Sequence, residues 1–416
     1  QIVLATLLLA FAMMLWLEPL VVLPTYRCVM QVVQISHTLL LAVAAMLFLG
    51  VGSSKPWSSR SLVSLAAIGW VALIASRVLT IIAAPSPEID VFVTNTLACD
   101  YFLAGQNPYA AWYPDQYDGR YGYAPGFFYW PAYLYWAAPF RALFGDVRYA
   151  AIAADAFTAA LLVRIGRQLD LDQPTRMLIP LVWLAQPVSL LVIELGWIDP
   201  VLVLGIAATA CCILSGRFAW AGVALGVVAA TKQYGLLVAC LTVPYLIAAH
   251  REAAKRVAVA VAATAGALVL PWLLLDSTSF LERTVTVYLT APPRSDALSI
   301  VAWASDRLGV SLPGVLLIVS YALAVGFAVW RMLRTPAPSL ADWAGAMAVT
   351  YCTIFLLGKQ AFCNYYVLVA FLVLLAAMLS LADDRRRFPA RKVLRVVRSD
   401  GSLADDAGSA PVPAAF

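Results

Sequence analysis

Charge is scarce in this chain: Asp, Glu, Lys and Arg together make up 12% of its 416 residues, against 63% hydrophobic residues. A soluble core cannot hide that much apolar surface, so the composition excludes an ordinary water-soluble enzyme or binding domain and names lipid as the solvent. Histidine is rarer still. The two present are His37, inside an apolar run, and His250, beside Arg251, which argues against a His-built metal centre or nucleophile. Seven cysteines are an odd number, and Cys211, Cys212, Cys240 and Cys352 lie within apolar stretches. Neither a disulfide framework nor a thiolate metal site is expected. The sequence also has no soluble domain and no short-period repeat.

What it has is long apolar runs, such as Ile2 to Leu17, Met30 to Val51, Ser61 to Ala84 and Arg256 to Leu275, each able as a helix to cross most or all of a ~30 Å hydrocarbon layer. The net charge of +5 matters less than where the positives fall. Lys55 with Arg60, Arg164 with Arg167 and Arg176, Arg217, Arg251 with Lys255 and Arg256, Arg331 with Arg334, and the tail from Arg385 to Arg398 should all stay cytoplasmic. That requirement predicts an all-α, polytopic transmembrane bundle of about twelve spans. They run roughly 1–17, 28–51, 61–84, 146–163, 175–196, 198–214, 218–231, 233–249, 256–275, 313–333, 340–358 and 363–382. Loops 85–145 and 276–312 then face outward. Phe127 to Phe144 would reverse this order as a full span, and its Tyr129, Trp130, Tyr133, Tyr135 and Trp136 suit the water–lipid boundary, so an interfacial or re-entrant helix is expected there. The small, Pro/Ala-rich end after Ser399 reads as disordered.

Transporters bury ionisable groups at the bilayer midplane. Here the unusual polar residues fall at outer helix ends and loops instead: Arg77, Glu88, Asp90, Asp100, Asp115, Asp118, Arg120, Glu194, Asp199, Lys232, Gln233, Arg283, Arg294, Asp296, Lys359, Gln360 and Asn364. Asp90 stands shortly after the third span, ahead of an aromatic helix expected from Asp100 to Tyr109 and the Tyr123-Ala124-Pro125 entry to the interfacial helix. It is either a solvated loop acid or a site carboxylate. Asp199, in Gly196-Trp197-Ile198-Asp199-Pro200, either caps the following helix or faces a substrate. Lys232 ends a short apolar helix from Phe218 and either snorkels or meets a buried anion, for which a lipid phosphate is a natural partner. Arg294 and Asp296 form a loop ion pair or offer a guanidinium fork to phosphate. Lys359, in Lys359-Gln360-Ala361-Phe362-Cys363-Asn364, is out of place for an outer lysine unless an anion holds it or it snorkels.

In these residues the chain resembles the GT-C superfamily of integral membrane glycosyltransferases, and most of all glycosyltransferase family 87, over roughly residues 61 to 382. The resemblance rests on Asp90 in the first large outer loop, Tyr123-Ala124-Pro125 leading into an embedded helix, Gly196 to Asp199 as a Gly-x-x-Asp turn, and Ala229-Ala230-Thr231-Lys232-Gln233 closing a short helix. It implies a GT-C-like catalytic unit at 61–382; residues 1–60, of which the resemblance says nothing, read as added transmembrane helices, and 383–416 read from charge and composition as a basic, disordered cytoplasmic tail. It further implies transfer of a sugar, mannose by the family 87 likeness or else arabinofuranose, from a polyprenyl-phosphate carrier to a glycolipid or polysaccharide acceptor at the outer face of a bacterial plasma membrane.

Such a transfer needs a base, cations for the departing phosphate and a slot for the lipid. Asp90 is the expected general base, giving inversion at the anomeric carbon. Lys232, Gln233, Arg294, Lys359, Asp199, Tyr123 and Asn364 are the expected substrate and lipid-phosphate contacts, and the aromatic residues from Tyr109 to Trp136 are expected to stack on sugar and line the carrier's path. No metal or other cofactor is expected, the lipid-linked sugar being a substrate, and membrane lipids rather than nucleic acid are the partners. Two other classes remain: a lipid-linked glycan transporter, for which Asp155, Gln186 and Asp342 are the mid-span polar candidates, and a membrane scaffold.

Overall fold

The computed structural model describes residues 31–35, 37–39, 41, 42, 59–294, 296–310 and 314–387. The expected span at 1–17, most of that at 28–51, and nearly all of the tail lie outside them. Every regular element among the described residues is helical. In chain order these are α1 (Ser59–Ala83), α2 (Asp90–Leu103), α3 (Ala132–Phe144), α4 (Arg148–Gln168), α5 (Gln173–Ala185), α6 (Val188–Glu194), α7 (Asp199–Leu214), α8 (Phe218–Ala229), α9 (Gly235–Ala249) and α10 (Arg251–Leu275). A broken segment follows, made of α11 (Ser277–Leu281), a π-helical turn (Glu282–Thr286) and α12 (Val287–Thr290). The chain then continues through α13 (Ile300–Leu308), α14 (Gly314–Arg334), α15 (Leu340–Leu356) and α16 (Cys363–Arg387).

Five helices are long and apolar enough to cross a membrane: α1 from Val63, α4, α10, α14, and α16 as far as Ala382. The pair α5 and α6 passes the same test as one span bent by 53°, and α7, α8, α9 and α15 are shorter apolar helices. The chain is therefore a polytopic integral membrane protein. Where a single helix was expected over 175–196, Pro187 divides it. Proline has no N–H to donate and disfavours α geometry in the residue before it, and Gln186 accordingly is extended, with ψ of 130°.

A break inside lipid leaves carbonyls with no water to bond, so neighbouring side chains must serve them. Arg77 on α1 does this. Its guanidinium donates to the Leu184 carbonyl at 2.9 Å and the Ser189 hydroxyl at 2.8 Å across the bend, and its Nε donates to Asp155 on α4 at 2.9 Å. His37 Nε2 lies 3.1 Å from the Ala185 carbonyl. Arg77 and Asp155 are both buried, so Arg77 belongs to the interior packing and not to the outer cluster in which it was expected.

Elsewhere small residues let helices approach closely. At Gly222 and Gly226, one turn apart on α8, a Cβ would come within 2.7 Å of the Val257 carbonyl and 2.9 Å of the Val261 carbonyl of α10. This is the spacing by which membrane helices pack backbone to backbone.

The aromatic helix expected at 100–109 instead occupies Asp90–Leu103. Residues 90–103 contain neither Gly nor Pro, whereas Gly105 takes φ of 71° and ends the helix. The expected helix at 127–144 begins only at Ala132. Just before it, the Trp130 and Ala132 amides donate to the carbonyls of Thr231 and Ala230, which lays this stretch against the end of α8. Arg148, at the start of α4, gathers neighbouring helix ends by donating to the carbonyls of Ala84 at 2.7 Å and Glu194 at 3.1 Å. At the far ends of α4 and α7, Gln168 donates to Ser215. The starts of α4, α7 and α16 and the α8–α9 junction thus lie at one end of the bundle, and Arg167 and Arg217 at the other.

Replacing Arg77 with Leu strands Asp155 without a counter-charge and strips the bend of its donors. The expected loss is about 3–5 kcal/mol, read as a lowered unfolding midpoint in detergent micelles, with Arg77→Leu combined with Asp155→Leu recovering most of it. An unchanged midpoint in the single variant would refute this role for the pair.

Candidate active site

Three segments far apart in sequence meet at Asp199. The carboxylate, fully buried at the start of α7, accepts from Lys232 Nζ at 3.1 and 3.2 Å, from the Asn364 amide at 2.5 Å, and from the Tyr234 hydroxyl. Lys232 has 2% of its surface exposed, and its ammonium also lies 5.3, 4.7 and 4.5 Å from the ring centres of Tyr129, Tyr234 and Tyr365, the negative faces that attract a cation. Asp199 makes no side-chain cap to its helix, so of the two readings open from sequence the capping one is not what the structure contains. The buried anion expected beside Lys232 is supplied by the chain itself.

Asp90 opens α2, where its Oδ1 accepts from the Val91 amide at 2.8 Å and the Tyr117 hydroxyl at 3.2 Å. Burial pushes its carboxyl above the ordinary range, with Arg294, the Val91 amide and Tyr117 pulling the other way. A cavity of about 170 Å³ lies against it, lined also by Tyr117, Tyr123, Tyr129, Arg294, Gln360, Asn364 and Tyr365. Arg294 holds Asp296 with two bonds of 2.9 and 2.6 Å, donates to the Tyr123 hydroxyl at 3.2 Å, and lies 3.5 Å from the Tyr121 ring centre. The bidentate guanidinium holds the Asp296 carboxyl below the usual carboxylate range. The loop ion pair is therefore real, and its arginine also faces the cavity.

A second, largely apolar cavity of about 510 Å³ adjoins the first. Lys232, Gln233, Tyr234 and Lys359 line it together with Leu317, Ile318, Tyr321, Ile354 and Phe355 from α14 and α15. Tyr288, Gln360 and Tyr365 line both cavities. Asp90 and Lys232, both expected at the site, line two adjoining cavities and not one, with Lys232 held by Asp199. Lys359 donates to the carbonyls of Leu289 and Ala291 at 3.2 and 2.9 Å. Gln233 ties the segment before α3 to the broken segment after α10, its amide donating to Phe128 O at 2.5 Å and Thr284 O at 3.1 Å. Arg283 does the same through the carbonyls of Ala124 and Pro125.

All eight residues expected at the site therefore lie around these two cavities or in the buried node beneath them. The aromatic run divides. Tyr117, Tyr123 and Tyr129 line the first cavity, but Tyr109, Tyr113 and Tyr133 are core residues under the loop. Tyr234, Tyr288 and Tyr365 were not singled out from sequence, and Tyr117 only as one of the aromatic run. Tyr117 does sit in a turn marked by Asp115, whose carboxylate accepts from the amides of Tyr117 and Gly119, yet nothing local says that its hydroxyl reaches Asp90. Among the described residues no three His, Cys, Asp or Glu side chains gather closely enough to hold a metal ion.

Helical membrane architecture, a buried polar node and two adjoining cavities define an integral membrane protein with a candidate binding site. The model of glycosyltransferase family 87 matches residues 127–338, just over half of the chain, and the chain belongs to that family: it is a membrane glycosyltransferase. Among solved structures, ArnT from Cupriavidus metallidurans, in a crystal structure bound to undecaprenyl phosphate, matches with a TM-score of 0.48 and 15% identity over 78% of this chain and 59% of that one, so the chain spans less than two thirds of that protein's length. No curated protein matches.

A carboxylate that must be ionised to act, and whose pKa burial has raised, loses activity as pH falls through that raised value. The acid limb of the transfer rate should thus lie above the usual carboxylate range, and Tyr117→Phe, which removes a bond to the ionised form, should move it further up. A limb at the ordinary carboxylate position, indifferent to Tyr117, would count against Asp90 as the titrating group.

Proposed function

We propose that the enzyme transfers a sugar, with mannose as first candidate, from a polyprenyl-phosphate carrier to a glycolipid or polysaccharide acceptor, with inversion. The observation that carries this reading is the pair of adjoining cavities. One is small and polar, with Asp90 and Arg294; the other is larger and apolar, with Lys232 and Lys359 at its side. A lipid-linked sugar has the same division, an apolar chain and a polar head joined by a phosphate. The carrier chain occupies the apolar cavity between α14 and α15, the sugar reaches the polar one past Tyr288, Gln360 and Tyr365, and the phosphate rests near Lys359, with the field of Lys232 behind it.

Asp90 accepts the acceptor's hydroxyl proton as the hydroxyl oxygen attacks the anomeric carbon, and the bond to the phosphate oxygen breaks on the opposite face. Lys359, Arg294 and Lys232 offset the charge that grows on that oxygen, with more effect than in water because the site is largely shielded. Residues 61–382 form the catalytic unit in this reading, and the site end is the outer one. Arg164, Arg167, Arg176 and Arg217 cluster at or near helix ends on the other side, where cytoplasmic positives belong.

Asp90→Asn should lower transfer by about 10²- to 10⁴-fold while leaving affinity for undecaprenyl phosphate intact. Lys359→Ala should instead weaken that affinity by about 1.5–3 kcal/mol. Both are measured on purified protein, transfer by consumption of radiolabelled polyprenyl-phosphate mannose and affinity by titration with the carrier. Full transfer by Asp90→Asn would remove it as the base, and a wild type that moves the intact lipid-linked sugar across vesicles without consuming it would point to a transporter.

A further inference from the structure

Asn364 was grouped above with residues that contact sugar or phosphate, and the two partners demand opposite things of it. A phosphate oxygen accepts hydrogen bonds, so it needs a donor; a sugar hydroxyl can donate. Which end of the amide is available is settled by Asp199. The ionised carboxylate has no proton to give, so the Asn364 group 2.5 Å from its Oδ2 must be the NH₂, and flipping the amide would press two acceptors together. The carboxylate in turn is fixed by the Lys232 ammonium and the Tyr234 hydroxyl. What remains is Oδ1, an acceptor. It is buried and has no hydrogen-bond partner, on a residue with 1% of its surface exposed that lines the smaller cavity.

A buried acceptor left without a donor is costly, about 1–3 kcal/mol, and functional sites are where such a cost persists. The cavity beside it, at about 170 Å³, has room for a few water molecules' worth of liquid at ~30 Å³ each, which suits one sugar ring and not a chain of them. We infer that Asn364 Oδ1 accepts a hydrogen bond from one hydroxyl of the donor sugar, making Asn364 a residue that selects the sugar and not one that binds the carrier phosphate. The donor and not the acceptor is the ring concerned, because Asn364 lines the cavity next to Tyr365, which with Gln360 and Tyr288 is shared with the apolar cavity. The inference rests on the functional reading above.

Because the contact is one atom to one hydroxyl, it can be tested as a coupling. Wild type and Asn364→Leu are compared on undecaprenyl-phosphate mannose and on its 2-, 3-, 4- and 6-deoxy analogues, with an envelope lipid and polysaccharide extract as acceptor source and donor consumption as the readout. In wild type one analogue should be poorer than the parent by roughly 10- to 100-fold in kcat/KM. In Asn364→Leu the parent should fall by a similar factor, while that analogue falls less than about threefold further. Affinity of the variant for sugar-free undecaprenyl phosphate should be unchanged.

A variant that lowers every donor by the same factor, or that loses affinity for sugar-free carrier, would overturn the assignment while leaving the transferase reading standing. So would a variant as active as wild type on all five donors. A wild type that consumes none of them would overturn both. Should Asn364→Leu fail to fold, Asn364→Ser, which keeps a small polar group beside Asp199, is put through the same panel with the same outcomes deciding.

Discussion

The buried pair of Asp199 and Lys232 is the constraint around which the site end is arranged. Neither charge reaches water, and a membrane interior tolerates such groups only when they satisfy one another and their remaining bonds are met. Each partner therefore recruits others: Tyr234 and Asn364 donate to the carboxylate, and three tyrosine rings surround the ammonium. The start of α7, the α8–α9 junction and the start of α16 are brought to one point. Their meeting forms the partition between a polar and an apolar cavity.

Depth follows from helix length. α8 has 12 residues, about 18 Å at 1.5 Å per residue, well short of a ~30 Å hydrocarbon layer. Lys232, which follows it, consequently lies inside the low-dielectric region and not at its surface, where the same lysine would simply reach for water. Low dielectric explains both why the lysine requires a counter-ion and why charges near the cavities act strongly on whatever binds there.

Much of this was legible in the sequence, for physical reasons that can be named. Apolar runs and the placement of Arg and Lys are one-dimensional signals, and they located α1, α4, α10, α14 and α16 to within a few residues. The short run before Lys232 likewise left a buried anion as one of two readings. What stayed hidden needs three dimensions. That the anion is Asp199, thirty-three residues upstream, depends on how α7 packs against α8. Pro187 signalled a break in its span, but the Arg77 contact that makes the break tolerable comes from a helix about a hundred residues away. Tyr117 and Tyr288 could not be told from the many aromatic residues around them, since composition marks a membrane boundary and a tyrosine-lined cavity in the same way.

Gln233 and Arg283 fasten the loop before α3 to the broken segment after α10 through backbone carbonyls on residues 124, 125, 128 and 284. These bonds hold the two segments to each other beside the polar chamber, and Gln233 anchors the seam to the α8–α9 junction itself. In the proposed transfer the carrier chain therefore enters sideways between α14 and α15, and its head group crosses the tyrosine partition.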